Sequence, residues 1–116
     1  MSVSEELHGS VRKIKFTRTS AADGTASEIT TWAYSGKIIG AVFIPGSGAD
    51  QPDNLYDVLI NDQESIDVLA GEGADKSNAS TEQSNGAMGT VANDRLTLAI
   101  SNAGDAKSGV VIIYIR

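Results

Sequence analysis

The feature that most constrains this chain is an alternation of apolar and polar side chains at every second position in several short stretches. Ile14 and Phe16 alternate with lysine and threonine, and Leu96 and Leu98 alternate with threonine and alanine. A period of two is that of a β-strand with one buried face. Isoleucine and valine together number 19 residues and leucine six, and β-branched side chains favour the pleated backbone. The chain is therefore predicted to be all-β.

The same reasoning predicts about seven short strands, separated by clusters of glycine, asparagine, aspartate and serine. They span residues 11–19, 29–34, 37–44, 55–62, 65–69, 96–101 and 110–115. Short strands at this spacing are typical of an antiparallel β-sandwich, either jelly-roll-like or a flattened barrel. No stretch of ten residues carries the apolar spacing of an amphipathic helix, so a long helix is not expected.

The alternation also predicts which side chains form the core. Residues 37–44 are almost continuously apolar, which indicates a strand buried on both faces, and Trp32 is expected inside because a lone tryptophan in a small sandwich is usually a core residue. The predicted core consists of Ile14, Phe16, Ile29, Val42, Val58, Ile60, Leu96, Leu98, Ile112 and Tyr114.

Two segments lack this periodicity. Residues 1–8 are predicted to form an amino-terminal arm that needs a neighbouring molecule to become ordered, and residues 9–116 a single sandwich domain. Residues 71–89 contain one large apolar side chain, Met88, and are predicted to be a long loop, either solvated or packed on another subunit.

The composition argues against catalytic and metal-binding functions. The chain has no cysteine and one histidine, His8, which is expected to be exposed. Thiolate sites and two-histidine metal sites are therefore impossible, and the acidic residues lack the spacing of a calcium loop. We expect no catalytic residue, no cofactor and no bound metal.

The charge distribution argues against nucleic acid as a partner, because the net charge is −6 and phosphate binding requires a basic face. Residues 1–20 are basic on balance, whereas residues 50–82 hold nine acids and one base, so the two regions could orient copies of the chain against each other. No stretch is long and apolar enough to span a membrane, and no export signal is expected, which suggests synthesis in a cytoplasm.

The arm, the basic stretch beside it and the long loop are the predicted partner-contact regions. Their ordering entropy has to be offset by a partner surface, since their own sequence gives them little to pack against. The predicted contact residues are Val3, Leu7, Arg12, Lys13, Lys15, Arg18 and Met88.

Three stretches add a resemblance. PDNLYDVLIND at residues 52–62, IDVLAGEGA at 66–74 and LTLAISNAGDAKSGVVIIY at 96–114 are similar to small virion-associated proteins encoded among the head genes of tailed bacteriophages. The resemblance covers roughly the last two thirds of the chain and brings no defined site with it. It implies a capsid cement or decoration subunit on the virion, with the major capsid protein as partner. Further copies of the chain, as a dimer or trimer, are a second expected partner, because an unpaired edge strand favours a symmetric one. A neck or tail component is the alternative within the same family.

Two other classes of function remain open on the sequence. A carbohydrate-binding β-module would need exposed aromatic rings, which Trp32, Tyr34 and Tyr56 could provide. A small hydrolase would need a carboxyl group with a raised pKa in a cleft.

Overall fold

The structure is a computed structural model that describes residues 2–116. Within that range the chain forms nine strands and one short 3₁₀ turn, at Gly48–Asp50. The strands are β1 (Ser2–His8), β2 (Val11–Thr19), β3 (Ala26–Ile29), β4 (Tyr34–Pro45), β5 (Asp57–Asn61), β6 (Glu82–Ser84), β7 (Thr90–Asp94), β8 (Thr97–Ser101) and β9 (Ser108–Ile115).

The strands are arranged in two antiparallel sheets. The larger has the order β1-β2-β9-β4-β6, with β7 also paired to β4, and the smaller has the order β3-β8-β5. The apolar core contains side chains from both sheets, as in a β-sandwich. The all-β antiparallel prediction is confirmed, although the strands remain two separate sheets and do not close into a barrel.

Two predicted strands are interrupted by side chains that bind the backbone. Residues 65–69 form a turn, because the carboxylate of Asp67 accepts hydrogen bonds from the backbone N–H groups of Ile60, Leu69 and Gly71. Residues 29–34 do not form one strand: β3 ends at Ile29, and the buried Thr30 hydroxyl donates to the Trp32 carbonyl oxygen. Such local hydrogen bonds compete with a strand ladder.

The predicted amino-terminal arm is an edge strand over residues 2–8. It pairs with β2 along its whole length, from Ser2 opposite Thr17 to His8 opposite Val11. Gly9 has a φ of +63° in the two-residue turn between the strands, a conformation that glycine adopts without strain. The first residue of the predicted arm lies outside the described residues. The rest obtains its hydrogen-bond partners from the same chain.

The segment 71–89 packs against its own domain and contains β6. The Gly73 carbonyl oxygen accepts from Val58 N–H at 2.8 Å, and Gly89 N–H donates to the Val68 carbonyl oxygen at 2.7 Å. Met88 is 7% exposed and belongs to the core. The prediction of Met88 as a partner contact is therefore wrong, because backbone hydrogen bonds on both sides hold this segment against the sandwich.

Seven of the ten predicted core residues are buried, but three are not. Ile29 is 43% exposed, and Val42 and Tyr114 are half-buried. Val42 and Tyr114 alternate with the buried inner residues of their strands and therefore lie on the outer face of the larger sheet. The prediction that residues 37–44 are buried on both faces is wrong for the single chain. The described residues bury the inner face of this stretch and leave its outer face partly exposed. The buried seven are Ile14, Phe16, Val58, Ile60, Leu96, Leu98 and Ile112.

Candidate interaction site

A groove of about 180 Å³ opens where the end of β1 meets the start of β4. Leu7 pairs with Arg12, and Glu5 pairs with Ile14, so the odd-numbered residues of β1 share the inner face of the larger sheet. Leu7 is nevertheless 62% exposed, so the chain leaves this end of the inner face uncovered. The groove is lined by Glu5, Glu6, Leu7, Arg12, Trp32, Ala33 and Tyr34.

Glu5 fixes the far wall of this groove. Its carboxylate accepts the backbone N–H groups of Thr31 and Trp32, both at 3.1 Å, and the hydroxyl of Tyr34 at 2.6 Å. Partial burial alone would raise the pKa of Glu5, but these hydrogen bonds together outweigh it and hold the pKa below its usual value. The ionised carboxylate therefore joins β1 to residues 31–34.

Trp32 projects from that wall into solvent and is 65% exposed. The prediction that it lies in the core is wrong. The prediction rested on the usual burial of a lone tryptophan in a small sandwich. The predicted strand over residues 29–34 would also have put Trp32 and Tyr34 on one face, but the turn at Thr30 breaks that alternation, and only Tyr34 is buried. Trp32 and Leu7 thus give one groove two exposed apolar side chains.

The structure brings together two of the predicted contact residues in this groove, Leu7 and Arg12. Val3, on the same face of β1, is half-buried and packs against the core. Its position leaves part of the side chain accessible beside β2.

The basic stretch of β2 is divided between the two faces of the larger sheet. Lys13 and Lys15 pair with Tyr114 and Ile112 and lie on the outer face. Arg18 shares the inner face with Phe16 and is 1% exposed, so its prediction as a surface contact is wrong. The period of two explains this, since even- and odd-numbered residues point opposite ways. β2 also lies between β1 and β9, so these charges are not on an edge strand.

The titratable groups near the groove act as hydrogen-bond partners. Burial, with a further contribution from Glu5, raises the pKa of the Tyr34 hydroxyl, which therefore remains a donor. His8 is exposed, as predicted, and its Nε2 lies 2.9 Å from a carboxylate oxygen of Glu6. Within residues 2–116 no three His, Cys, Asp or Glu side chains are grouped closely enough to hold a metal ion. The titratable groups at the groove thus bind one another and the backbone.

The sequence held one usable signal for this site. Gly9 and Ser10 form a two-residue hairpin turn between two strands. Within the first strand the apolar residues Val3 and Leu7 are four positions apart, and within the second Ile14 and Phe16 are two apart. Glycine followed by serine at that position predicts a β-hairpin. The role of Glu5 had no such signal, because its partners lie at least 26 residues away.

Comparison with known proteins adds no relative. No protein-family model matches the chain. No curated protein sequence matches it at a significant level. Within residues 2–116, no helix combines the length and apolar character needed to cross a bilayer.

Proposed function

We propose that this chain is a non-enzymatic structural protein of a bacteriophage virion, a cement or decoration subunit that stabilises the capsid through protein–protein contacts. The virion assignment rests on the resemblance of residues 52–62, 66–74 and 96–114 to proteins of phage head-gene regions. The mode of action rests on the exposed groove between β1 and residues 31–34.

The observation that carries the proposal is the exposure of Trp32 beside Leu7. The hydrogen bond from its N–H to Glu5 fixes the backbone that carries Trp32, and tryptophan is among the side chains that contribute most to protein interfaces. Arg12, at the same groove, adds a donor that can form paired hydrogen bonds with a carboxylate. Exposed apolar side chains rimmed by polar ones are typical of a protein contact site.

The volume of the groove favours a protein partner over an enclosed small molecule. At about 180 Å³ it is smaller than the roughly 300–1,000 Å³ clefts that surround drug-sized ligands. A groove of this size accepts one or two side chains of a neighbouring protein. Individually weak contacts of this kind hold firmly on a capsid, since binding at many sites raises the effective concentration of each copy.

Copies of the chain are the second proposed partner. β1 pairs on one side with β2, and no strand of the described residues pairs with its other side. An unpaired edge favours association with an identical edge by a two-fold axis. Molar mass measured by light scattering, with and without the major capsid protein, distinguishes a monomer, a dimer and a trimer.

The proposal is tested by co-sedimentation with capsids that lack the protein. Trp32→Ala and Leu7→Ala should each weaken binding by at least tenfold, the loss typical of a central interface residue. Leu55→Ala is the matched control, because Leu55 is 54% exposed and does not line the groove. Failure of the unaltered chain to bind capsids would contradict the virion role. Equal binding of capsids by all three variants would exclude the groove as the contact site and leave the virion role in place.

A second candidate is carbohydrate binding, which the exposure of Trp32 also favours. An exposed indole can stack on a sugar ring, and Glu6 and Arg12 at the same groove could bind its hydroxyl groups. A glycan array gives the test. Binding of one glycan class that disappears in Trp32→Ala and persists in Leu55→Ala would support it, and an array without signal would reject it.

A further inference from the structure

Arg18 is the largest fully buried side chain of the domain, and half of its guanidinium group has no protein partner. Nη1 donates to the Lys107 carbonyl oxygen at 3.4 Å, and the guanidinium carbon lies 5.5 Å from the centre of the Tyr56 ring. Nε and Nη2 are buried, and no acceptor among residues 2–116 bonds to either. These two nitrogens form the side-on edge of the guanidinium, whose N–H groups point in the same direction.

Within residues 2–116 no carboxylate forms an ion pair with Arg18. Burial lowers the pKa of Arg18, and Tyr56 makes the opposing contribution, but burial raises the pKa of the Tyr56 hydroxyl, which is therefore neutral and supplies no counter-charge. Glu82 also raises the pKa of Tyr56, but its own carboxylate is paired with Lys76 at 3.0 Å. Arginine stays protonated in proteins even when buried. The interior therefore contains a net positive charge.

Burying a charge is strongly unfavourable unless the charge is paired and hydrogen-bonded. The backbone opposite Arg18 is adapted to the guanidinium: a Cβ atom on Gly109 would lie 3.1 Å from Nη2. The guanidinium therefore packs closely against the backbone of β9, and its Nε and Nη2 donors are enclosed without a protein acceptor. A bound group would have to be small, anionic and able to accept two parallel hydrogen bonds.

We propose that the side-on edge of Arg18, buried between the two sheets, binds a small monovalent anion, chloride under ordinary conditions. A chloride ion accepts both N–H groups and neutralises the charge without needing the space of a phosphate. Because Arg18 is buried, the anion binds to the folded chain, and its binding stabilises the fold by mass action. This site is independent of the groove and of any virion role.

Thermal unfolding at constant ionic strength tests the proposal, with sodium chloride or bromide replacing sodium gluconate, whose anion is too large for the site. For a dissociation constant of about 10 mM, 300 mM chloride should raise Tm by roughly 5–10 °C in a saturable manner. Arg18→Met, of similar length and without charge, should show no difference between chloride and gluconate. Arg12→Met is the matched control on the same strand and face, and it should keep the full response.

A second measurement applies if Arg18→Met fails to fold. A crystal of the unaltered chain grown in bromide should show an anomalous peak within hydrogen-bonding distance of both Nε and Nη2. An unaltered chain that unfolds at the same temperature in chloride and in gluconate would overturn the proposal. So would a bromide crystal with no anomalous peak at Arg18, which would indicate that water alone satisfies the two donors.

Discussion

The hydroxyl of Tyr34 donates a 2.6 Å hydrogen bond to the carboxylate of Glu5, although the two residues lie 29 positions apart. The bond connects the edge strand β1 to the first residue of β4. Glu5 also accepts two backbone N–H groups from residues 31 and 32. The groove that presents Trp32 therefore depends on one ionised carboxylate.

Glu5→Gln should make the stability of the chain less dependent on acid pH. The pKa of Glu5 is lowered in the folded state, so its carboxylate stabilises the fold above the unfolded-state pKa of about 4.3, and this contribution is lost as pH falls through the lower folded-state value. Since Glu5 is partly exposed, we expect about 1 kcal/mol at neutral pH. Urea unfolding of the unaltered chain and of Glu5→Gln between pH 7 and pH 3 measures this contribution to the free energy of unfolding. The free energies of the two proteins should converge at the acid end, and a constant difference would contradict the assignment.

Met88→Ala should destabilise the fold by about 2–5 kcal/mol, because the side chain is buried and its removal leaves a cavity. Leu7→Ala removes a comparable apolar side chain that is largely exposed, and it should change stability by less than about 0.5 kcal/mol. Denaturant unfolding of both variants makes the comparison. A mild effect of Met88→Ala would show that residues 71–89 do not pack on the domain.

Gly73→Ala should be among the more harmful small substitutions in the chain. A Cβ atom at this position would lie 2.2 Å from the Val58 carbonyl oxygen, which belongs to the backbone and can move little. We expect more than about 2 kcal/mol of destabilisation. Gly71→Ala is the control, since Gly71 has a φ of +83° but open space around it, and about 1 kcal/mol is expected. Thermal unfolding that places the two variants in the reverse order would contradict this packing.

The fluorescence of Trp32, the chain's single tryptophan, should report both its exposure and its binding partner. In the isolated chain its emission should be that of a water-exposed indole and acrylamide should quench it strongly, because the side chain is 65% exposed. Adding capsids should shift the emission to shorter wavelength and reduce quenching. Leu55→Ala should show the same shift. An emission that is already blue-shifted in the isolated chain would contradict the placement of Trp32.

The sequence by itself determined the class of fold and much of the core. The alternation of Ile14 with Phe16, and of Leu96 with Leu98, is a local property, because a strand exposes successive side chains on opposite faces. The same parity also specified that Arg18 shares a face with Phe16, while Lys13 and Lys15 point the other way, although all three were predicted as contact residues.

Tertiary structure alone decided the groove and the fate of the two segments without periodicity. Glu5 binds residues 31 and 32, and Gly89 binds Val68, through hydrogen bonds between stretches that no local pattern relates. Burial is likewise a property of the pair of sheets. Leu7 has the alternation of a core residue but lies at an uncovered end of the inner face, whereas Met88 comes from a polar stretch and is enclosed. Side-chain period specifies the face of a strand, and only the packed partner determines whether that face is covered.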